Sequence, residues 1–229
     1  MPDVLTIKPI AHIRSDFPEK FGIPKQSGIV EDLTAEIIFE PDFRDPACLT
    51  GLDSFSYIWL VWGFSDNFGT PWTPTVRPPH LGGNKRVGVF ASRSPFRPNP
   101  IALSSVRIIS IDVKEKLGTV ITVSGADLLD GTPIYDIKPY IPQNDIHADA
   151  DPGYSSPGHR LEVSVDEILL ANVPEEKRKA LTGILSCDPR PAYQNDPDRI
   201  YHLAFAGFDI RFQVDENLLT VLEIRENAD

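Results

Sequence analysis

Two arginines, Arg93 and Arg97, stand inside one unusual run, Gly88-Val-Phe-Ala-Ser-Arg-Ser-Pro-Phe-Arg-Pro-Asn-Pro100. Three prolines fix φ and withdraw three backbone donors, and each pushes the residue before it into extended geometry. The arginines therefore sit on a stiff, non-helical loop with Ser92, Ser94 and Asn99 between them. Guanidiniums suit planar anions, carboxylates and phosphates. The bland alternative is a rigid connector whose arginines lie in solvent. From Thr75 to Arg107 the charged residues are Arg77, Lys85, Arg86, Arg93, Arg97 and Arg107, with no Asp or Glu, in a chain of formal net charge −11. Overall acidity argues against non-specific nucleic-acid binding. A local basic strip is compatible with a specific phosphate-bearing partner.

Other residues admit two readings each. Arg77 and Arg86, in a Pro- and Gly-stiffened loop, read equally as phosphate ligands or as caps on neighbouring carbonyls. Asp127, Asp130 and Asp136 crowd the stretch Ser124–Tyr140. They account for a turn, a cap and an ion pair with Lys138. Alternatively, one of them reaches ribose hydroxyls or an exocyclic amine, or takes a proton. Spacing does not select which. In Asp188-Pro-Arg-Pro-Ala-Tyr193, Arg190 and Tyr193 suit a nucleotide by phosphate pairing and base stacking, or form a rigid buttress. Gly22-Ile-Pro-Lys-Gln26 reads first as a turn. Its functional reading turns the Gln26 amide toward a ligand.

Several chemistries lack their signature. There is no phosphate-binding P-loop, no Gly-x-Gly-x-x-Gly opening a helix and no Gly-x-Ser-x-Gly elbow. The two cysteines, Cys48 and Cys187, are isolated, and the five histidines are scattered, so no metal site is expected. No apolar run approaches the roughly 20 residues of a membrane span. No secretory signal is visible, and a reducing cytoplasm is the expected setting.

The elements that must position these residues are mostly strands. Val4–Ile13, Gly28–Phe39, Phe55–Phe64, Arg86–Phe90, Ile101–Ile111, Thr119–Ser124 and Tyr135–Tyr140 are rich in β-branched and aromatic residues. Gly, Pro and Asp punctuate them. The aromatic residues of Phe55–Phe64 read as core or interface. Many short strands predict a closed or nearly closed sheet. A Pro- and Gly-rich stretch then marks a change of texture. Beyond it, Glu175–Leu185 has helical spacing after Pro174. Three strands follow, Ile200–Ala206, Phe208–Val214 and Leu218–Ile224. The expectation is mainly β: a β-barrel domain at 1–145, a linker at 146–158 and a small α+β domain at 159–229, marginal alone and so packed on the first.

Taken in order, Phe21–Gln26, Arg77-Pro-Pro-His-Leu-Gly-Gly83, the Gly88–Pro100 run, Asp127-Leu-Leu-Asp-Gly-Thr-Pro133 with Asp136–Tyr140, and Asp188–Tyr193 resemble the TsaA-like, or TrmO, family over nearly the whole chain. The resemblance implies a β-barrel methyltransferase that uses S-adenosylmethionine and acts as a homodimer with the cofactor near the subunit interface. The implied reaction adds a methyl to N6 of threonylcarbamoyladenosine, next to the anticodon of tRNA. It carries cofactor contacts onto Pro24, Lys25, Gln26, Ser65, Asp66, Arg93, Leu103, Asp127, Leu128, Leu129 and Asp130. Tyr57 and Ser65 stand where the family usually has histidines, Lys25 where it has arginine and Ala102 where it has glycine.

For the chemistry, the expected roles follow from charge. Arg93 or Arg97 stabilises the carbamoyl oxygen as the N6 proton leaves, and a guanidinium pairs with the acceptor's threonyl carboxylate. Asp136 is the candidate proton acceptor. Arg77, Arg86, Arg97, Asn99, Arg190 and Tyr193 are the candidate tRNA contacts. Arg97→Ala is expected to keep the fold and cofactor binding and to lose most transfer. A non-catalytic RNA-binding barrel is the alternative, and a scaffold for a basic protein is a third reading.

Overall fold

Strict alternation in Tyr57–Gly63 (β3) sends Ile58, Leu60 and Trp62 inward, at 0, 0 and 7% exposure, and turns Tyr57, Trp59 and Val61 the other way. The structure is a computed structural model that describes residues 4–78, 81, 84–155, 158–191, 194 and 196–227. The same inward logic builds Ala11–Arg14 (β1), Thr34–Phe39 (β2), Ile101–Lys114 (β6), Gly118–Ser124 (β7) and Pro133–Pro139 (β8). These six strands pair antiparallel in the order β1-β2-β7-β6-β3-β8. Strand β8 pairs back onto β1 at Ala11↔Ile134, so the ring closes and leaves no unpaired edge. Ile13, Ile37, Ile58, Leu60, Ile121 and Ile134 fill it.

A second, four-stranded sheet has the order β10 (Tyr201–Phe205), β11 (Phe208–Asp215), β12 (Leu218–Glu226) and β9 (Glu162–Ser164). Ala206 and Gly207, at φ 52° and 82°, make the tight turn between its first two strands. After the short helices Pro142–Asp145 (α1) and Glu167–Leu170 (α2), the helix Glu175–Ser186 (α3) carries Glu175 and Glu176 in its first turn and buries Ala180, Leu181, Ile184 and Leu185.

The structure shortens three of the expected strands. Val4–Ile13 contracts to β1, because the residues before Pro9 find no partner and lie exposed. Gly28–Phe39 contracts to β2. Gly28, at φ 78°, turns the chain, and Val30 and Leu33 leave the barrel for the second core. Arg86–Phe90 becomes a two-residue strand, Val87–Gly88 (β5), paired with Thr75–Val76 (β4). Strand β9 was not legible, since it is three residues long and pairs parallel with β12.

Candidate functional site

In an antiparallel ring, alternate strands end on the same rim. Strands β1, β3 and β7 therefore end where β2, β6 and β8 begin. That rim carries a cavity of about 560 Å³. Three segments far apart in sequence wall it: residues 20–26 from the excursion between β1 and β2, residues 59–67 at the end of β3, and the Arg93–Ser104 stretch leading into β6. Asp127, Leu129 and Thr132 complete the wall after β7.

The cavity gathers most of the residues that the family resemblance nominated. Pro24, Lys25, Gln26, Ser65, Asp66, Arg93, Leu103, Asp127 and Leu129 all line it, and so does Arg97. Leu128 does not. Its side chain is fully buried in the barrel core and its carbonyl accepts the Ser15 hydroxyl at 2.9 Å. Asp130 precedes the Gly131 turn and accepts the Ser15 N–H at 2.9 Å, outside the lining. Asp136 lies on β8 across from Val61; it pairs with Lys138 at 2.9 Å and accepts the Ile137 N–H at 2.9 Å. A turn residue that holds the Ser15 N–H at Asp130 and an ion pair at Asp136 are thus the local roles of two of the three acids.

Asp127 is the acid that faces the cavity. Ser104 Oγ donates to its Oδ1 at 2.7 Å, and Trp62 Nε1 donates to Ser104 Oγ at 2.9 Å. An indole N–H only donates, so the serine oxygen accepts from Trp62 and its proton points to the carboxylate. Burial pushes the Asp127 carboxyl above the ordinary carboxylate range. The Ser104 hydroxyl, its own backbone N–H, the Arg93 charge and the Ser27 N–H pull the other way.

The two arginines of the stiff loop divide the work. Arg93 is exposed and its Nη1 donates to Gln26 Oε1, tying the proline loop to the excursion. Arg97 is half-buried and its Nη1 donates to the carbonyls of Ser92 and Ser94 at 3.1 and 3.2 Å. Part of its guanidinium therefore holds its own loop in shape, so the expectation that Arg97→Ala spares the fold now reaches the barrel but not the loop. Lys20 closes the rim by pairing with Asp66 at 3.2 Å.

Arg77, Lys85, Arg86 and Arg107 are exposed, and among the described residues none pairs with a carboxylate. Asn99 is exposed and outside the cavity. Arg190 sits in the second unit with 8% of its side chain exposed, forked onto Asp188 at 2.8 and 3.0 Å, the geometry of a buttress. Tyr193 lies outside the described residues. Sequence reasoning missed Lys20, Ser104 and the cavity role of Trp59 and Trp62. The one available signal was the Ser104-Ser105 pair within an apolar strand, where a two-residue period must put one serine inside. Among the described residues no group of three His, Cys, Asp or Glu is placed to hold a metal.

The donor set suits a nucleoside that carries positive charge: aromatic walls from Trp59, Trp62 and Phe64, a carboxylate at Asp127 and amide and hydroxyl groups at Gln26 and Ser65. The comparisons agree in kind. A family model described as the tRNA-methyltransferase O N-terminal domain matches residues 12–146, and one described as the TrmO C-terminal domain matches residues 159–227. An Escherichia coli protein named tRNA (adenine(37)-N6)-methyltransferase is 36% identical over 90% of this chain and 91% of its own. A Pseudomonas aeruginosa protein whose name contains the words S-adenosylmethionine-dependent methyltransferase is 35% identical over 96% of this chain and 97% of its own. The crystal structure of TrmO from Pseudomonas aeruginosa superposes with a TM-score of 0.78 at 31% identity, covering 97% of this chain and 99% of that one.

Proposed function

We propose that this chain, which belongs to the tRNA-methyltransferase O family, is an S-adenosylmethionine-dependent tRNA methyltransferase acting on N6 of adenine 37. The observation that carries the reading is the meeting of the Gln26 excursion, the Arg93–Ser104 run and Asp127 in one cavity at one end of the barrel. When bound there, S-adenosylmethionine supplies an activated methyl group on a cationic sulfur. Asp127 answers its positive charge, the aromatic wall holds its adenosine, and Pro24, Lys25, Gln26 and Ser65 hold its polar ends.

The finer acceptor is threonylcarbamoyladenosine. Arg93 stabilises the carbamoyl oxygen as the N6 proton passes to solvent water, and the other donors of Arg97 fork onto the threonyl carboxylate. The engaged, outward position of Asp136 supports a structural ion pair rather than the proton-accepting role, and Asp136→Asn is expected to leave turnover unchanged. Arg77, Arg86 and Arg107 grip tRNA phosphate as an exposed strip. Residues 1–145 and 159–229 act as two units joined by 146–158, in the cytoplasm. The homodimer reading rests on exposed apolar residues of the stretch 88–103, where Phe90, Phe96, Ile101 and Leu103 are 77, 43, 38 and 53% exposed.

Titration calorimetry with S-adenosylmethionine tests the cofactor assignment. Saturable binding is expected for the native chain, and about tenfold or greater weakening for Asp127→Asn. Native-like affinity in that variant would remove Asp127 from the site. Light scattering after size exclusion tests the dimer.

A further inference from the structure

Residues 15–33 leave the barrel after β1 and return at β2, and their two sides do different things. One side presents Lys20, Pro24, Lys25 and Gln26 to the cavity. The other is buried in the core of the second sheet. Phe17, Val30 and Leu33 are 1, 5 and 3% exposed within a cluster built otherwise from residues after 160, among them Leu181, Ile184, Leu203 and Phe212. The Phe17 ring lies 5.4 Å from that of Phe205.

The contacts are close and directional. Gly22 has φ +88°, and a Cβ there would stand 2.1 Å from Leu203 Cδ1. On α3, a Cβ at Gly183 would stand 2.7 Å from Val30 Cγ1. Polar pins flank this packing. Lys177 Nζ meets Asp16 at 2.5 Å, Arg160 Nη2 donates to the Ile29 carbonyl at 3.0 Å, and the Ala206 N–H donates to the Asp16 carbonyl at 2.9 Å. Only two residues, Pro24 and Lys25, separate Ile23, packed against the second core, from Gln26 in the cavity wall. Interiors this dense pass a displacement on rather than absorb it.

We infer that the C-terminal unit positions the cofactor wall: Val30, Gly183 and Leu203 are positioning residues that set where Lys25 and Gln26 stand in the cavity. The inference rests on the cofactor reading above. A C-terminal unit serving only as an arm for RNA would leave cofactor affinity to the barrel alone.

The test is a compensating pair in the full chain. Val30 is β-branched and stiff at χ1, so it cannot swing clear of an added methyl on α3. Gly183→Ala should therefore displace the excursion, and Gly183→Ala with Val30→Ala should return it. Calorimetry with S-adenosylmethionine should show binding weaker by about tenfold in the single variant and recovered to within about threefold in the pair. Affinity for unmodified tRNA should be unchanged throughout. Hydrogen exchange of the peptide spanning residues 20–27 should accelerate in the single variant and return to native rates in the pair. Native exchange rates in Gly183→Ala overturn the inference whether or not cofactor binds. Absence of cofactor binding by the native chain contradicts the cofactor reading instead, and the exchange measurement still decides this one. A lowered melting temperature with unchanged cofactor affinity and exchange would reduce the contact to packing.

Discussion

Replacing Ser104 by alanine removes one hydroxyl and breaks two hydrogen bonds, the 2.9 Å bond from Trp62 and the 2.7 Å bond to Asp127. The two losses register differently. Ser104 is 2% exposed and Trp62 7%, so the indole N–H is left buried without an acceptor, at a cost of about 1–3 kcal/mol. In a domain of this size each kcal/mol lowers the melting temperature by about 2–4 °C, which gives a fall of about 2–12 °C. Asp127 loses a donor to a charged group, worth about 1.5–3 kcal/mol. If that loss is expressed in the holding of a cationic ligand, affinity falls by about 10–150-fold. The carboxyl also loses one of the influences that pull it downward, so the acid limb of cofactor binding should move to higher pH. Ser105→Ala, on the opposite face of the same strand, is the control and should change neither quantity. Thermal melts and calorimetry across pH 5–8 read both. Ser104→Ala with native melting temperature and native affinity would refute the chain Trp62–Ser104–Asp127 as a support of the site.

Asp127→Asn has a defined sign with pH. A raised carboxyl means that the folded chain binds its proton more tightly than the unfolded chain, so this group lowers stability as pH rises through the folded value. Denaturant melts of Asp127→Asn should show that loss removed, with native stability or better at neutral pH. A variant less stable at pH 7 than at pH 4, by the native margin, would contradict it. At Gly63 a Cβ would meet Phe68 Cζ at 2.6 Å and Tyr135 Cε2 at 2.8 Å. Gly63→Ala should therefore cost about 1–3 kcal/mol in a urea melt and disturb the cavity floor. Arg97→Ala should raise hydrogen exchange across residues 92–99 while leaving the barrel strands at native rates, since its two carbonyl bonds hold that loop. Unchanged exchange there would assign Arg97 to substrate alone.

How much of this was legible in sequence depended on whether the physics was local. The Gly88–Pro100 loop was legible because proline geometry acts on neighbouring residues, and α3 and β10 to β12 because period and turn chemistry do too. Which of three acids faces the cavity was not legible. Asp127, Asp130 and Asp136 have similar surroundings in sequence, and the distinction is made by Ser104 and Trp62, which arrive from other strands. The destination of residues 15–33 was hidden for a related reason. Phe17, Val30 and Leu33 follow no single period, and what buries them is a core assembled from residues after 160. The pairing of β8 back onto β1 was equally non-local.

The most direct test of the central claim is transfer of labelled methyl from S-adenosylmethionine to tRNA by the purified chain, with the product nucleoside identified by mass spectrometry. The account predicts incorporation at N6 of adenine 37 in tRNA that carries threonylcarbamoyladenosine, abolished by Arg93→Ala. Cofactor binding without incorporation into any tRNA, or incorporation unaffected by Arg93→Ala, would contradict it.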